Sequence, residues 1–447
     1  MNKPKKFLWL TAYFLSPLIL FYFVVDNPSP DIQLTSGYLL SALAGAFAYT
    51  WFCYQFILSA HPKFIVKHFG MDKTYRFHGI MAMVSLILGL IHYLIRRVYS
   101  PPNQSWGLFA LILFAVAGGL GFVFLLNSRL RKVKWVEGIR RFAEKKLGFK
   151  RRYSIIAHNL SLLAATFLFI HVINSSASEY SGYARFLFIA FYVLGVSFWL
   201  YHQVVRRFQL DQGTFRVVEN RIENHSVRSL HLKPVQGNIF NYKPGQFTFI
   251  SVQNGRVSKE PRPYTIASSP ANSEEIEFVI KNSDEYANQL ENVIEGDEVH
   301  VNTPFGIFSH LNHPSEKELV FIAGGIGITP FLSMLRWIKE NDPQRKVTLL
   351  WGCRYKDDFI KAEEFAGFEQ AMPNFQWYPV VSDEPNFDGE TGFFDTEKIN
   401  RLAVSKMDII TTGFYICAPP VMMDLVDDSL LELGVPRGRI HYEKFSF

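Results

Sequence analysis

Apolar residues crowd into six long runs within the first 204 positions: about 7–25, 37–59, 77–95, 106–127, 154–173 and 184–204. At about 1.5 Å of rise per residue, runs of roughly 20 residues match the thickness of a bilayer core. The pattern predicts six transmembrane helices. After Arg206 and Arg207 it changes. The segments RVVENRIENHSVRSLHLKP, NYKPGQFTFISV, RPYTIASSP and EIEFVIK read as short alternating strands with Gly/Pro turns, which predicts an antiparallel β-barrel. From Glu318 onward apolar strands alternate with helical stretches: ELVFIAG, TPFLSMLRWIKEN, KVTLLWGC, the 357–372 segment, FQWYPVV, FYICAPP and VMMDLVDDSLLELG. Such βαβ punctuation implies a parallel sheet. The expected architecture is multidomain: a six-helix transmembrane bundle over 1–208, an antiparallel β-barrel over 209–314, and an α/β parallel-sheet domain over 315–447.

Charge orients the bundle. The 26–36 loop holds Asp26 and Asp31 and no basic residue, whereas the 60–76 loop carries Lys63, Lys67, Lys73 and Arg76. The 128–153 loop has 11 Lys/Arg against Glu137 and Glu144, and the 174–183 loop has no basic residue but Glu179. Basic loops stay in the cytoplasm, so an integral, multi-pass membrane protein with both termini cytoplasmic is expected. The first run follows Lys3, Lys5 and Lys6 but lacks a small-residue cleavage site, so it reads as a retained anchor. The net charge of +6 comes largely from the inner loops. It argues for contact with anionic lipid and against nucleic acid. Within 128–153, Trp135, Ile139, Phe142 and Leu147 fall at helical spacing. An amphipathic helix there suits docking of the second half and a lipid surface equally well.

Four of the 13 histidines lie deep in apolar runs, in two pairs: His78 with His92, and His158 with His171. Ionisable groups inside a membrane span are costly and mark function. A neutral imidazole is a haem-iron ligand, and the expected arrangement is two stacked b-type haems. His78 and His158 form the inner pair, His92 and His171 the outer. The spacings correspond to about 21 and 20 Å of helical rise. At about 100° per residue the first pair returns to one face, but the second lands roughly 140° away, so that helix must tighten, kink or change rotamer. Arg96 sits one turn beyond His92. It suits a haem propionate or an anionic acceptor, and equally a snorkelling role at the interface beside Arg97.

Three cysteines, Cys53, Cys353 and Cys417, are too few for a plant-type iron–sulfur cluster, and they give neither a disulfide framework nor a structural zinc site. GGIGITP (324–330) follows an apolar strand and opens a helix, where glycines let the backbone approach a pyrophosphate at a helix N-terminus. In RPYTIASSP a guanidinium and a flat aromatic side chain suit a phosphate and a flat ring. With these motifs the chain resembles the NADPH oxidase/ferric reductase superfamily, in which a ferric-reductase-type membrane domain is fused to a ferredoxin–NADP reductase module. The resemblance runs from about residue 37 to Phe447.

It implies FAD on the barrel. Arg262 would meet the flavin pyrophosphate, Tyr264 the isoalloxazine and Thr265 its N5, with Pro263 between them and Ile280 and Lys281 ending the neighbouring strand. IKNSDEYANQL departs from the family, which often places a glycine and a Ser/Thr there for phosphate. PGQFTFI and GDEVHVNTPFGIF resemble the flanking segments. The resemblance implies NADPH (or NADH) at Gly324, Gly325, Gly327, Thr329 and Pro330, with Arg354 at the 2′-phosphate and Asp357 and Asp358 close enough to oppose it. YICAPP resembles the family's Cys-Gly-Pro motif, with Ala418 replacing glycine and Cys417 near the nicotinamide. Phe447 matches the terminal aromatic ring that covers the flavin. Thr265, Cys417 and Phe447 are thus the candidate catalytic residues. The implied function is electron transfer from cytoplasmic NAD(P)H through FAD and two haems to a small extracytoplasmic acceptor. Oxygen is favoured, giving superoxide. Ferric-chelate reduction and electron supply to an extracytoplasmic partner enzyme remain as alternatives. No obligate protein partner is evident.

Overall fold

The computed structural model describes residues 3–99, 105–120, 142, 158–206 and 211–443, apart from positions 31, 61, 63, 66–68 and 273. The chain forms two compact units that divide after Arg207.

The first unit is helical. Its long elements are α1 (Lys3–Asp26), α2 (Ser36–Ser59), α3 (Met71–Tyr99), α4 (Trp106–Leu120), α5 (Leu160–Ile173) and α6 (Gly182–Leu200). By length and composition, stretches of α1, α3 and α6 could cross a membrane; α4 and α5 are apolar but shorter over their described residues. The helix α2 is long but sits at the centre, against α1, α3, α5 and α6. Its sequence follows from that position. Ala42, Ala44, Ala46 and Ala48 are buried and let neighbouring helices approach closely. Ser41 and Thr50 are buried with them. Two side-chain bonds lock the packing. Tyr49 donates to the Phe188 carbonyl at 2.6 Å, and the Trp51 indole to the Tyr13 carbonyl at 3.1 Å. The centre of 128–153, with Trp135, Ile139 and Leu147, lies outside the described residues; Phe142 is helical and exposed.

The second unit holds two sheets. The first comprises β1 (Asp211–Asn224), β2 (Val227–Pro234), β3 (Phe247–Val252), β4 (Arg262–Thr265), β5 (Ile276–Lys281) and β6 (Glu298–Asn302). Its order is β4-β3-β6-β1-β2-β5, antiparallel throughout. The expected barrel does not close. No ladder joins β4 to β5 among the described residues, so the sheet keeps two edges. The physical reason lies at Ile266–Ser268. The chain leaves β4 after four residues and meets β5 through a bond from the Ala267 amide to the Glu277 carbonyl at 2.8 Å. The Glu277 amide in turn bonds Ser268 Oγ at 3.1 Å. Edge position also explains why Pro263, which has no amide hydrogen, is accommodated in β4.

The second sheet comprises β7 (Glu318–Gly324), β8 (Val347–Cys353), β9 (Phe375–Val381), β10 (Glu390–Thr391), β11 (Thr412–Cys417) and β12 (Ile440–Tyr442). Its order is β10-β9-β8-β7-β11-β12, parallel throughout. Helices α8 (Thr329–Asn341), α9 (Ala362–Ala371), α10 (Thr396–Leu402) and α11 (Pro420–Glu432) follow β7, β8, β10 and β11. A short helix, α7 (Glu285–Gln289), follows β5. Nearly every residue of β7, β8 and β11 is buried, as expected for strands covered on both faces. The 357–372 segment is helical only from Ala362, because Lys361 adopts a left-handed conformation at φ 55°.

The sheets share one core, in which Val227, Ala267 and Val279 meet Phe331, Leu335 and Trp351. A buried ionic cluster bridges them. Arg336 on α8 holds Glu364 of α9 at 2.6 and 2.8 Å, the Ala267 carbonyl at 2.9 Å, and Glu277 of β5. Lys361 lies 2.9 Å from Glu223 of β1 and 2.8 Å from Glu277. Burial alone would raise the Glu277 carboxyl. Arg336 and Lys361 outweigh it and hold the pKa down at about 2, against 4.5 when unperturbed.

Because the folded value lies below the unfolded one, this stabilisation is complete above about pH 5 and is lost as pH falls toward 2. It is on the order of 3 kcal/mol. Glu277→Gln should remove about that much, lowering the unfolding midpoint of the second unit by roughly 6–12 °C at pH 7. The loss should shrink on going from pH 5 to pH 3, which thermal unfolding across that range measures.

Candidate functional site

In the second unit the residues of interest gather at the ends of β4, β5, β7 and β11. Arg262, Pro263, Tyr264 and Thr265 form β4, paired with Ile250, Phe249, Thr248 and Phe247 respectively. Arg262 places its guanidinium 5.4 Å from the Tyr286 ring centre, a cation–π arrangement, and contacts Glu260 at 3.1 Å. Its Nε atom is buried with no hydrogen-bond partner among the described residues, as is Oδ1 of Asn282 just beyond β5. Unmet polar atoms of this kind suit a bound polar ligand, so the residues fit a flavin nucleotide. Burial raises the Tyr264 phenol, and burial likewise pushes the Tyr286 phenol up to about 12. Thr265 is buried. Ile280 is buried at the end of β5 and Lys281 is exposed.

The IKNSDEYANQL departure now has a structural meaning. Asp284 caps α7 by accepting from the Ala287 amide at 2.8 Å. A carboxylate therefore occupies the helix start where other chains can place phosphate. The adjoining depression, about 460 Å³, is lined by Asp284, Glu285 and Glu291 among others. Its acidity is unsuited to a pyrophosphate, whereas Arg262 on β4 carries the charge that would suit one.

The glycines of 324–330 divide by role. A side chain on Gly324 would meet Met422, Pro419 and Ala418 at 2.7–2.8 Å, and one on Gly327 would overlap the Cys417 carbonyl. Both are needed for the close approach of β7 to the β11–α11 connection. Gly325 differs: it has φ +52° and open space around it, leaving it free to face a ligand. Thr329 and Pro330 begin α8 and are buried. Cys417 ends β11 fully buried, and burial raises its thiol well above the ordinary value. Phe447 lies outside the described residues. Arg354 follows β8 and is exposed, with its Nε 3.4 Å from Asp383 Oδ2. Asp358 is engaged elsewhere, accepting from the Tyr355 amide at 3.2 Å. The carboxylate beside Arg354 is therefore Asp383, two residues beyond β9, which the sequence motifs do not single out.

In the first unit the structure brings His78 of α3 together with His158, and His92 of α3 with His171 of α5. Ring centres are 6.1 and 6.4 Å apart and the ring planes cross at 76° and 72°. A metal sits about 2 Å from an imidazole nitrogen and the ring centre roughly 1 Å farther back, so two rings on opposite sides of one ion stand roughly 6 Å apart. The histidines therefore fit bis-imidazole ligation of an iron such as that of haem. Asn159 stands as a turn residue between His158 and Leu160 with dihedrals still in the right-handed helical region, φ −66° and ψ −15°, and the Leu162 amide bonds its carbonyl three residues back at 3.1 Å. Such a tight turn advances further per residue than an α-helix.

The outer pair rests on two glycines. A Cβ on Gly45 of α2 would lie 2.8 Å from His92 Nδ1, and one on Gly107 of α4 would lie 3.0 Å from His171 Nδ1. His92 Nδ1 contacts the Ser41 carbonyl at 2.9 Å. Donation there would leave the Nε2 lone pair free, the form of imidazole that a metal takes. Glycine inside an apolar helix signals close approach, and that signal was available at Gly45 and Gly107.

Residues 214–332 match the FAD-binding domain family, and residues 321–428 match the oxidoreductase NAD-binding domain family. The second half thus carries an FAD-binding domain followed by an oxidoreductase NAD-binding domain. No ferric-reductase transmembrane family matches the chain. Among similar proteins, the reductase component of propane 2-monooxygenase from Mycolicibacterium goodii is 28% identical over 229 residues, covering 50% of this chain and 65% of that protein. A flavohemoprotein from Rhizobium meliloti is 29% identical over 248 residues, covering 52% and 60%. The chain thus spans about 60–65% of the length of these relatives. The flavohem-like FAD/NAD binding domain of nitric oxide dioxygenase from Vibrio cholerae aligns with 29% identity and a TM-score of 0.47, over 53% of this chain and 99% of that one.

The Arg354–Asp383 contact predicts the nucleotide preference. Asp383→Asn should lower the Michaelis constant for NADPH about threefold to tenfold, by freeing the guanidinium for a 2′-phosphate. Arg354→Ala should raise it about tenfold or more and leave NADH nearly unchanged. Steady-state kinetics with both nucleotides decide it, and equal losses would make Arg354 a support of the fold.

Proposed function

We propose that this chain is a transmembrane flavohaem oxidoreductase that carries electrons from NAD(P)H on the cytoplasmic side to a small acceptor outside, with oxygen as the acceptor and superoxide as the product. The observation that carries this reading is the pair of facing histidine couples about 21 Å of rise apart on α3, in a chain whose other half is a reductase module.

When bound, FAD supplies hydride acceptance and single-electron release, and the haems supply one-electron transfer. The chain positions these groups. Arg262 would hold the flavin pyrophosphate, Tyr264 and Thr265 would line the ring, and Gly325 would admit the nucleotide. His78 with His158, and His92 with His171, would ligate the two irons, and Arg96 would hold an anionic propionate or attract the acceptor. Membrane placement is supported by outward-facing apolar side chains. Phe7, Ile19, Leu94, Val98 and Phe186 are all more than half exposed, which in water is a liability. The basic loops put both termini on the cytoplasmic side.

A second reading has one specific support. Several relatives are, by name, reductase components or subunits of monooxygenases, so the chain could serve as the electron supply for an extracytoplasmic partner enzyme. The purified, haem-loaded protein given NADPH should release superoxide faster than it reduces a ferric chelate. Turnover of neither acceptor would favour the partner reading, and fast chelate reduction alone would make it a ferric reductase.

Gly45→Ala should crowd His92 and reduce bound haem from two per chain toward one, with NAD(P)H-driven flavin reduction kept. A haem-to-protein ratio and reduced spectrum identical to those of the parent would detach Gly45 from the ligand site.

A further inference from the structure

We propose that His313, Glu316 and His441 form a zinc-binding site at the β12 edge of the parallel sheet, separate from the flavin and nucleotide motifs. One ligand atom from each of the three lies within 4.8 Å of the others. The two rings stack with centres 3.9 Å apart and planes 29° from parallel. His441 Nε2 contacts Glu316 Oε1 at 2.6 Å. His313 makes no ring hydrogen bond among the described residues, which leaves it a nitrogen to offer. Two imidazoles and one carboxylate, with water in fourth place, are a donor set that zinc accepts; calcium and magnesium prefer oxygen alone.

The carboxylate is held as a ligand's would be. It is almost wholly buried, and Tyr415 donates to its Oε2 at 2.6 Å. Arg345 donates to the Glu316 backbone carbonyl at 2.7 Å. Gly413 leaves it room, since any side chain there would overlap the carboxylate. Outer contacts of this kind orient metal ligands. Two guanidinium groups act against a cation, Arg345 at the Glu316 backbone and Arg439, whose Nη1 lies 3.8 Å from Glu316 Oε1.

The location gives the site a purpose. β12 has three residues and pairs with β11 at three positions, one of them Tyr415 opposite His441. Zinc would tie this short edge strand to the segment entering β7.

The test uses the full-length, haem-loaded protein in detergent, stripped with a chelator and dialysed against zinc chloride. One zinc per chain is expected beyond any bound by a His313→Asn/His441→Asn double variant. Each single variant should bind at least tenfold more weakly, and Arg439→Gln should bind several-fold more tightly. Bound flavin and dye reduction by NAD(P)H report that each variant is folded. If a histidine variant loses flavin, the Arg439→Gln arm decides. Zinc binding that none of these changes alters, or no zinc binding at all, overturns the site.

Discussion

The buried charges around Glu277 are the constraint on which the second half depends. Glu223 and Glu277 belong to the antiparallel sheet, whereas Arg336, Lys361 and Glu364 belong to the parallel one. None could be buried alone, because an unpaired ion in a protein interior costs several kcal/mol. Paired, they fix one orientation of two sheets whose apolar contacts would tolerate others. The flavin motif on β4 and the glycine turn after β7 take their mutual positions from that orientation. Lys361 shows how strongly the cluster is specified, since a non-glycine residue takes a left-handed backbone conformation to place its ammonium between two carboxylates.

Both halves depend on side chains being removed at chosen points. Gly45 and Gly107 leave room against His92 and His171, and Gly325 leaves the start of α8 open. Gly324 and Gly327, like Gly45 and Gly107, let protein meet protein, and of these only Gly325 faces open space. A glycine-rich motif thus mixes ligand-facing and packing roles, and only the neighbours of each position separate them.

Much of this was legible in the sequence. The change from long apolar runs to alternating strands and then to βαβ repeats located the helical half and both sheets, because each element buries a face of a different period. The four histidines within apolar runs stood out as costly residues in their surroundings. The sequence did not reveal the missing closure between β4 and β5, since strand alternation does not encode which edges pair. Nor did it reveal Asp383, which reaches Arg354 from beyond a different strand. Asp284 was visible as a departure from a motif, but its capping bond emerged only from the backbone geometry.

The two histidine-bearing elements are unequal rulers. One marks its interval with 14 residues, the other with 13, yet both must deliver rings to the same two levels. Each ruler is also a screw: one added residue lengthens it by about 1.5 Å and turns everything beyond it by about 100°. Insertions or deletions between the histidines are therefore tolerable only in nearly whole turns, and then only if the opposite element changes by the same height. The interval between the two levels can drift in coarse, paired steps, while the residues filling it are free to vary singly.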